Sequence, residues 1–306
     1  MVIIMKLNDN RVPVTAPLLV AAVLLLLGIT EIILPQAVQQ GNNIFLVIIV
    51  IQIIVFILPC ILYYYSIGRK LTTPMFIKVI HPSHLIFVFF VILMFITGNM
   101  LIKFFMYYIT DGSLAGDSGM LSQFALPEGE NNGLYIFLTF ALIPAICEEL
   151  FFRGVILSEY RGYGSVNAIV ISALCFAMVH FSYENFFVYF FAGIIFGFSA
   201  VVTRSIFTPI ILHLINNALN LYVDGSFLKL MMQESGTFFV AFVLVVLFSV
   251  SLLIVLARTE SIYCVYAEKP PTGDLPPSSK SNIIKVFFSP AFLVLLGIFI
   301  VITGLS

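Results

Sequence analysis

Residues 134–157 read LYIFLTFALIPAICEELFFRGVIL, an apolar run whose only charges are Glu148, Glu149 and Arg153. It exceeds the ~20 residues that a helix needs to cross a hydrocarbon core. It also lacks the apolar–polar alternation of barrel strands, so a helix is the conformation that satisfies its backbone within lipid. Comparable runs lie at about 15–34, 44–65, 85–108, 165–180, 186–203, 206–222, 237–257 and 286–304. Together they predict an all-α, polytopic membrane bundle of about eight or nine transmembrane helices. The count turns on 165–180 and 206–222, which are short for a full crossing.

Composition agrees. The chain is 61% hydrophobic and 9% charged with a mean hydropathy of +1.13, whereas soluble domains carry roughly 25% charged residues. A net charge of −1 and no basic run longer than Arg69-Lys70 exclude a nucleic-acid partner as a reading of this sequence. Cys60, Cys147, Cys175 and Cys264 show no paired short spacing, so neither a disulfide framework nor a thiolate zinc site is indicated. The first run, from Thr15 to Leu34, is longer than a signal-peptide core and no small-residue cleavage site follows, so it is expected to be a retained span.

Loop charges predict the sidedness, because Lys and Arg collect on the cytoplasmic side. With a cytoplasmic N-terminus, that side holds Lys6, Arg11, Arg69, Lys70, Lys78, Arg153, Arg161, Arg204, Arg258, Lys269, Lys280 and Lys285, against Lys103 and Lys229 on the other. The loop 110–132 carries Asp111, Asp117, Glu128 and Glu130 and no basic residue, as an external loop does. Residues 258–282, with Pro270, Pro271, Pro276, Pro277 and several serines, read as an exposed cytoplasmic linker before an accessory helix at 286–304. There is no internal repeat and no phosphate-binding loop, so residues 1–306 form one membrane domain with a core at about 134–222.

Ionisable residues at membrane depth are costly, so each poses a functional question. Glu149 and Arg153 are four apart and share a helical face, where they can pair. Two adjacent carboxylates cannot both ionise cheaply in a low-dielectric setting without a compensating cation. Arg153 compensates Glu149, which leaves Glu148 as the candidate to accept a proton from water. A helix-end ion cluster gives the same local pattern. The run ending Phe176-Ala177-Met178-Val179-His180 and the run His213-Leu214-Ile215-Asn216-Asn217 add two histidines and an amide, with His213 and Asn217 on one face. Such a pair can hold a water, an oxyanion or a metal. Each histidine alone is as readily an interhelical hydrogen-bond donor.

Glu148-Glu149-x-x-x-Arg153, Phe176-x-x-x-His180 and His213-x-x-x-Asn217, in that order, resemble the three motifs of the CAAX-protease and bacteriocin-processing family, also called the Abi family. The likeness covers about residues 134–220. It implies an intramembrane glutamic endopeptidase without a cofactor, in which Glu148 activates water with help from His180. His213 and Asn217 would form an oxyanion site, and Glu149 with Arg153 would orient and tune the base. The implied partner is a peptide or membrane protein, possibly a lipid-modified one such as a prenylated C-terminal Cys-a-a-X peptide. Short loops favour a bacterial plasma membrane.

Depth constrains this reading. A fourth helix ending at Arg153 would leave Glu148 about 8 Å from its end, whereas His180 lies about 22 Å beyond Ser165 at 1.5 Å per residue. Extending that helix to Tyr160 raises Glu148 to about 18 Å and levels the two. The expectation is therefore a long fourth helix, a hairpin at 161–165 projecting into the cytosol, a seventh helix starting at Thr208-Pro209, and a water-filled cavity open to the cytoplasmic side.

Gly193 and Gly197, four apart, suit close helix packing. His81 and His84 lack the adjoining Glu of a His-Glu-x-x-His zinc motif. Two alternatives compete: a metal-dependent hydrolase using the same carboxylates, histidines and asparagine, and a non-enzymatic immunity, scaffold or transport protein with a structural polar core.

Overall fold

The computed structural model describes residues 15–39, 44–66, 77–109, 133–161, 164–222, 237–268 and 283–305. Within them the chain is helical. We number α1 Thr15–Gln39, α2 over 44–66, α3 Leu85–Ile109, α4 Gly133–Tyr160, α5 Ser165–Met178, α6 Phe186–Thr203, α7 Phe207–Tyr222, α8 Thr237–Glu268 and α9 Pro290–Leu305. Each expected span coincides with one of these. Five segments are long and apolar enough to cross a membrane: Phe45–Tyr65, Pro82–Met106, Gly133–Tyr160, Phe186–Thr203 and Thr237–Glu268. Thr15–Thr30, Ser165–Met178 and Pro290–Gly304 are shorter apolar helices. The chain is thus a polytopic membrane protein whose described elements are helices.

Two departures from expectation have physical causes. Residues 258–268, read from sequence as the start of the linker, are helical, because no proline precedes Pro270 and α8 continues to Glu268. The charges from Arg258 onward do not end the helix. The remainder of that linker, 269–282, and the acidic loop 110–132 lie outside the described residues. The second departure is in helix geometry. Both α2 and α4 contain π-helical turns, at Ile53–Ile57 and Leu138–Leu142. Pro59 and Pro144 follow these turns, and the carbonyl four residues before each proline, at Val55 and Phe140, falls inside them. A proline removes one N–H and its ring crowds that carbonyl, and the widened turn absorbs both without breaking the helix.

A third π-helical turn, Leu150–Ile156, has no proline to explain it. Hydroxyls bond its carbonyls instead: Ser172 of α5 donates to Phe152 O (3.0 Å) and Ser158 to Arg153 O (3.2 Å). Such turns concentrate at functional sites. The helix then runs on to Tyr160, as the depth argument requires, and Gly164, at φ 101°, turns the chain into α5 with its N–H on Arg161 O (3.0 Å).

α6 is the central helix and α8 a peripheral one: 61% of the apolar window of α6 is buried, against 17% for α8. Phe95, Phe151, Phe152, Phe176 and Phe196 form an aromatic core around α6 with tilted and edge-to-face contacts at 5–6 Å. On α8, Phe238, Phe239 and Phe242 are exposed and suit lipid. Without water to drive apolar burial, helices in lipid associate through close packing of small residues. Gly193 of α6 does this against Ala173 of α5, where a Cβ would come within 2.8 Å of the Ala173 Cα.

Candidate active site

The site is assembled where α4, α6 and α7 meet. Glu149 has no exposure and Arg153 only 1%. Arg153 Nη1 donates to Glu149 Oε1 (2.7 Å), and Nη2 crosses to the backbone carbonyl of Gly193 (3.0 Å). The guanidinium carbon also lies 4.9 Å and 5.3 Å from the ring centroids of Phe176 and Phe196. A buried cation is thus held by a carboxylate, a carbonyl and two aromatic faces. Arg153 therefore fastens α4 to α6 besides compensating Glu149.

His213 of α7 adds the second bond to Glu149, with Nδ1 donating to Oε1 at 2.9 Å. A carboxylate accepts only, so this contact places a proton on Nδ1 and turns Nε2 toward the neighbouring glutamate. Nε2 lies 3.9 Å from Glu148 Oε2. The ring is held from two sides by Phe196 (5.1 Å) and Phe176 (5.5 Å). Glu148, itself 6% exposed, has an Oε2 without any hydrogen-bond partner.

Asn217 follows His213 by one turn of α7 and donates to Ala141 O in the π-helical turn of α4 (3.4 Å). Its orientation is set by a chain of amides: Asn99 Nδ2 of α3 donates to Asn216 Oδ1 (3.0 Å), and Asn216 Nδ2 donates to Asn217 Oδ1 (3.4 Å). His180 closes α5. Its ring stacks on Tyr189 of α6 (3.8 Å, 9°) and meets Phe176 edge-on (5.0 Å). Phe181, next along the chain, takes a left-handed φ of 47°, uncommon for a bulky residue. His180 Nε2 is buried without a partner.

Of the six residues singled out from sequence, Glu148, Glu149, Arg153 and His213 converge directly. Asn217 is joined to α4 through Ala141. His180 is joined to His213 through the T-shaped contacts that both rings make with Phe176, and makes no direct hydrogen bond to Glu148. Sequence reasoning missed Asn99 and Asn216 as members, and the Gly193 carbonyl as the second acceptor for Arg153. Asn99 had a signal, a lone amide in an otherwise apolar run. Among the described residues no group of three or more His, Cys, Asp or Glu side chains is placed to hold a metal ion, so the metal-dependent alternative gains no support from this arrangement.

A buried cluster of carboxylates, arginine and histidine from α4 and α7, tied to α6 through the Gly193 carbonyl, defines a class of polytopic membrane proteins with a polar core. Residues 130–219 match the family described as type II CAAX prenyl endopeptidase Rce1-like. Over this segment, less than a third of the chain, the protein is similar to that family. The membrane-embedded CAAX protease MroQ of Staphylococcus aureus (strain USA300) is 34% identical over 91 residues, covering 28% of this chain and 36% of MroQ. The match therefore spans little more than a third of that relative's length. No solved structure matches the chain.

Proposed function

We propose that this protein is an intramembrane endopeptidase in which Glu148 activates water. The observation that carries the reading is the asymmetry of the two glutamates. Glu149 Oε1 accepts from both Arg153 and His213, whereas Glu148 bonds neither of them and its Oε2 stands 3.9 Å from His213 Nε2; the Oε2 of each glutamate is buried without a partner. A water held between Glu148 Oε2 and His180 Nε2 loses a proton to Glu148 as its oxygen adds to the scissile carbonyl carbon. The carbonyl π pair moves to oxygen, and that oxyanion takes donors from His213 and Asn217. Collapse breaks the C–N bond, and the proton on Glu148 passes to the leaving amine. When His213 carries both ring protons, the charges of Glu148, Glu149, Arg153 and His213 sum to zero, which a dry site requires. Glu149 and Arg153 position His213 and do not touch substrate.

In this reading the three shorter apolar helices embed with the five long ones, α7 completes the polar core, and the N-terminus is cytoplasmic. The loop-charge division and the continuation of α4 to Tyr160 support that placement. The substrate is a peptide or membrane protein. Relatives named as CAAX proteases support a C-terminal, lipid-modified segment.

Glu148→Gln in the full chain is the decisive variant, because it removes the base and leaves no bond at Oε2 unmade. Peptide products from membranes carrying the wild-type protein are expected to fall by roughly 100- to 10,000-fold, with unchanged expression and thermal stability. A folded Glu148→Gln protein that yields the same products at the same rate refutes the mechanism.

A further inference from the structure

The last helix reaches the turn that carries His180. Residues 179–185 join α5 to α6, and the chain reverses at Phe181, whose φ of 47° a bulky residue seldom adopts. Such a conformation is costly and persists only where its surroundings hold it. The turn's own backbone bonds are long, His180 N–H to Ala177 O at 3.4 Å and Phe181 N–H to Met178 O at 3.3 Å, against about 2.9–3.0 Å for a well-made bond. Ser182 Oγ accepts from the Asn185 N–H (3.1 Å) and from its Nδ2 (3.3 Å). The remaining hold comes from α9. Tyr183 donates its hydroxyl to the Ile300 carbonyl (3.2 Å), and its ring meets Phe299 at 5.7 Å. Phe186, the first residue of α6, meets the same Phe299 ring at 6.1 Å. One side chain of α9 thus touches the reversal in its middle and at its exit. α9 is in turn backed by α1, where Gly28 lies against the side chain of Ile302. It also lies outside residues 130–219, the segment similar to the CAAX prenyl endopeptidases.

We propose that Tyr183 is a positioning residue for His180, and that α9, through Phe299 and the Ile300 carbonyl, is the brace against which it works. The effect on the His180 ring follows from packing alone, whereas the effect on turnover rests on the hydrolytic reading above. Tyr189 lies flat on the His180 ring (3.8 Å, 9°), and Phe176 meets that ring edge-on from another side (5.0 Å). Phe186 and Tyr189 are three apart and belong to the same first turn of α6. A Phe186 seated on Phe299 therefore fixes the rotation of the turn that carries Tyr189. Without the α9 contacts Phe181 relaxes toward an ordinary φ, the start of α6 shifts and the stack opens. His180 Nε2, buried without a partner, then turns away from the water it would share with Glu148. A misplacement of about 1 Å at a reacting group costs roughly 100-fold in rate. Tyr183 itself is 52% exposed, so its replacement disturbs this contact and little of the core.

Ring and reaction are read separately in the purified full-length protein. The chain has four histidines, so in histidine-labelled protein the His180 ring signal is assigned by its absence from His180→Gln protein. A ring lying flat on a tyrosine gives an upfield NMR shift, and Tyr189→Leu, which removes the stack, sets the scale. Tyr183→Leu and Phe299→Ala are each expected to lose most of that shift. Tyr183→Phe, which keeps its ring on Phe299, should lose less and serves if the larger change fails to fold. Val301→Ala, exposed on α9, should keep the shift. In parallel, kcat for Glu148-dependent peptide release should fall roughly 10- to 100-fold in Tyr183→Leu, with KM within about twofold of wild type. A His180 signal that stays in place in Tyr189→Leu, or in both Tyr183→Leu and Phe299→Ala, overturns the brace whatever the activity does. A displaced signal with unchanged kcat overturns the positioning role. No Glu148-dependent product from the wild-type protein overturns the hydrolytic reading, while the His180 signal still decides the brace.

Discussion

Gly193→Ala places a methyl group where α5 and α6 are closest. Its Cβ would lie 2.8 Å from Ala173 Cα, 2.9 Å from Ala173 Cβ and 3.2 Å from Ala173 O, whereas ordinary contact begins at 3.4 Å. Relief requires a separation of 3.4 − 2.8 = 0.6 Å, and because the obstacle is backbone the helices themselves must move. Overpacking of this kind costs about 1–3 kcal/mol, or about a five- to 150-fold fall in the folded-to-unfolded ratio. There is a second effect. The Gly193 carbonyl accepts from Arg153 Nη2 at 3.0 Å, and a 0.6 Å displacement is enough to take that bond out of range. Glu149 and His213 would then lose part of their anchor. Thermal unfolding in detergent and Glu148-dependent peptide release should both fall. Gly197→Ala is the control, since its Cβ would meet only the side-chain ends of Ile169 and Leu157 at 3.3–3.5 Å. A Gly193→Ala protein matching wild type in both assays would refute the argument that this contact positions Arg153.

Other substitutions probe the same network. Arg153→Met leaves Glu149 buried without its cation and should destabilise the fold by about 3–5 kcal/mol, seen as loss of monodisperse protein after solubilisation. Asn99→Leu and Asn216→Leu should each cost about 1–3 kcal/mol by orphaning the partner amide. The double variant should cost less than the sum, and strict additivity in thermal unfolding would deny the pair. Gly164→Ala forces a side chain into a φ of 101°, so a loss of roughly 1–3 kcal/mol is expected by the same measurement.

Most of the helices were legible because they are apolar runs between polar breaks, and the length of α4 followed once Glu148 and His180 had to reach one level. The charges after Arg258 misled, since they mark a polar surface and not a helix end. The π-helical turns of α2 and α4 carried a readable sign in Pro59 and Pro144, whereas Leu150–Ile156 carried none. At the site, the four-residue spacing gave the Glu149–Arg153 pair directly. What spacing could not give is any bond between distant helices. The second hand of Arg153 on Gly193, the stacking of His180 on Tyr189 and the Asn99–Asn216 pair all arise from packing.

The brevity of α5 has a consequence for the lipid around the protein. With 14 residues it measures about 21 Å, against a hydrocarbon core of about 30 Å. Such a mismatch is met by local compression of the bilayer. If α5 embeds as proposed, the membrane would be thinnest beside the helix that leads into His180, and water would travel a shorter way to Glu148.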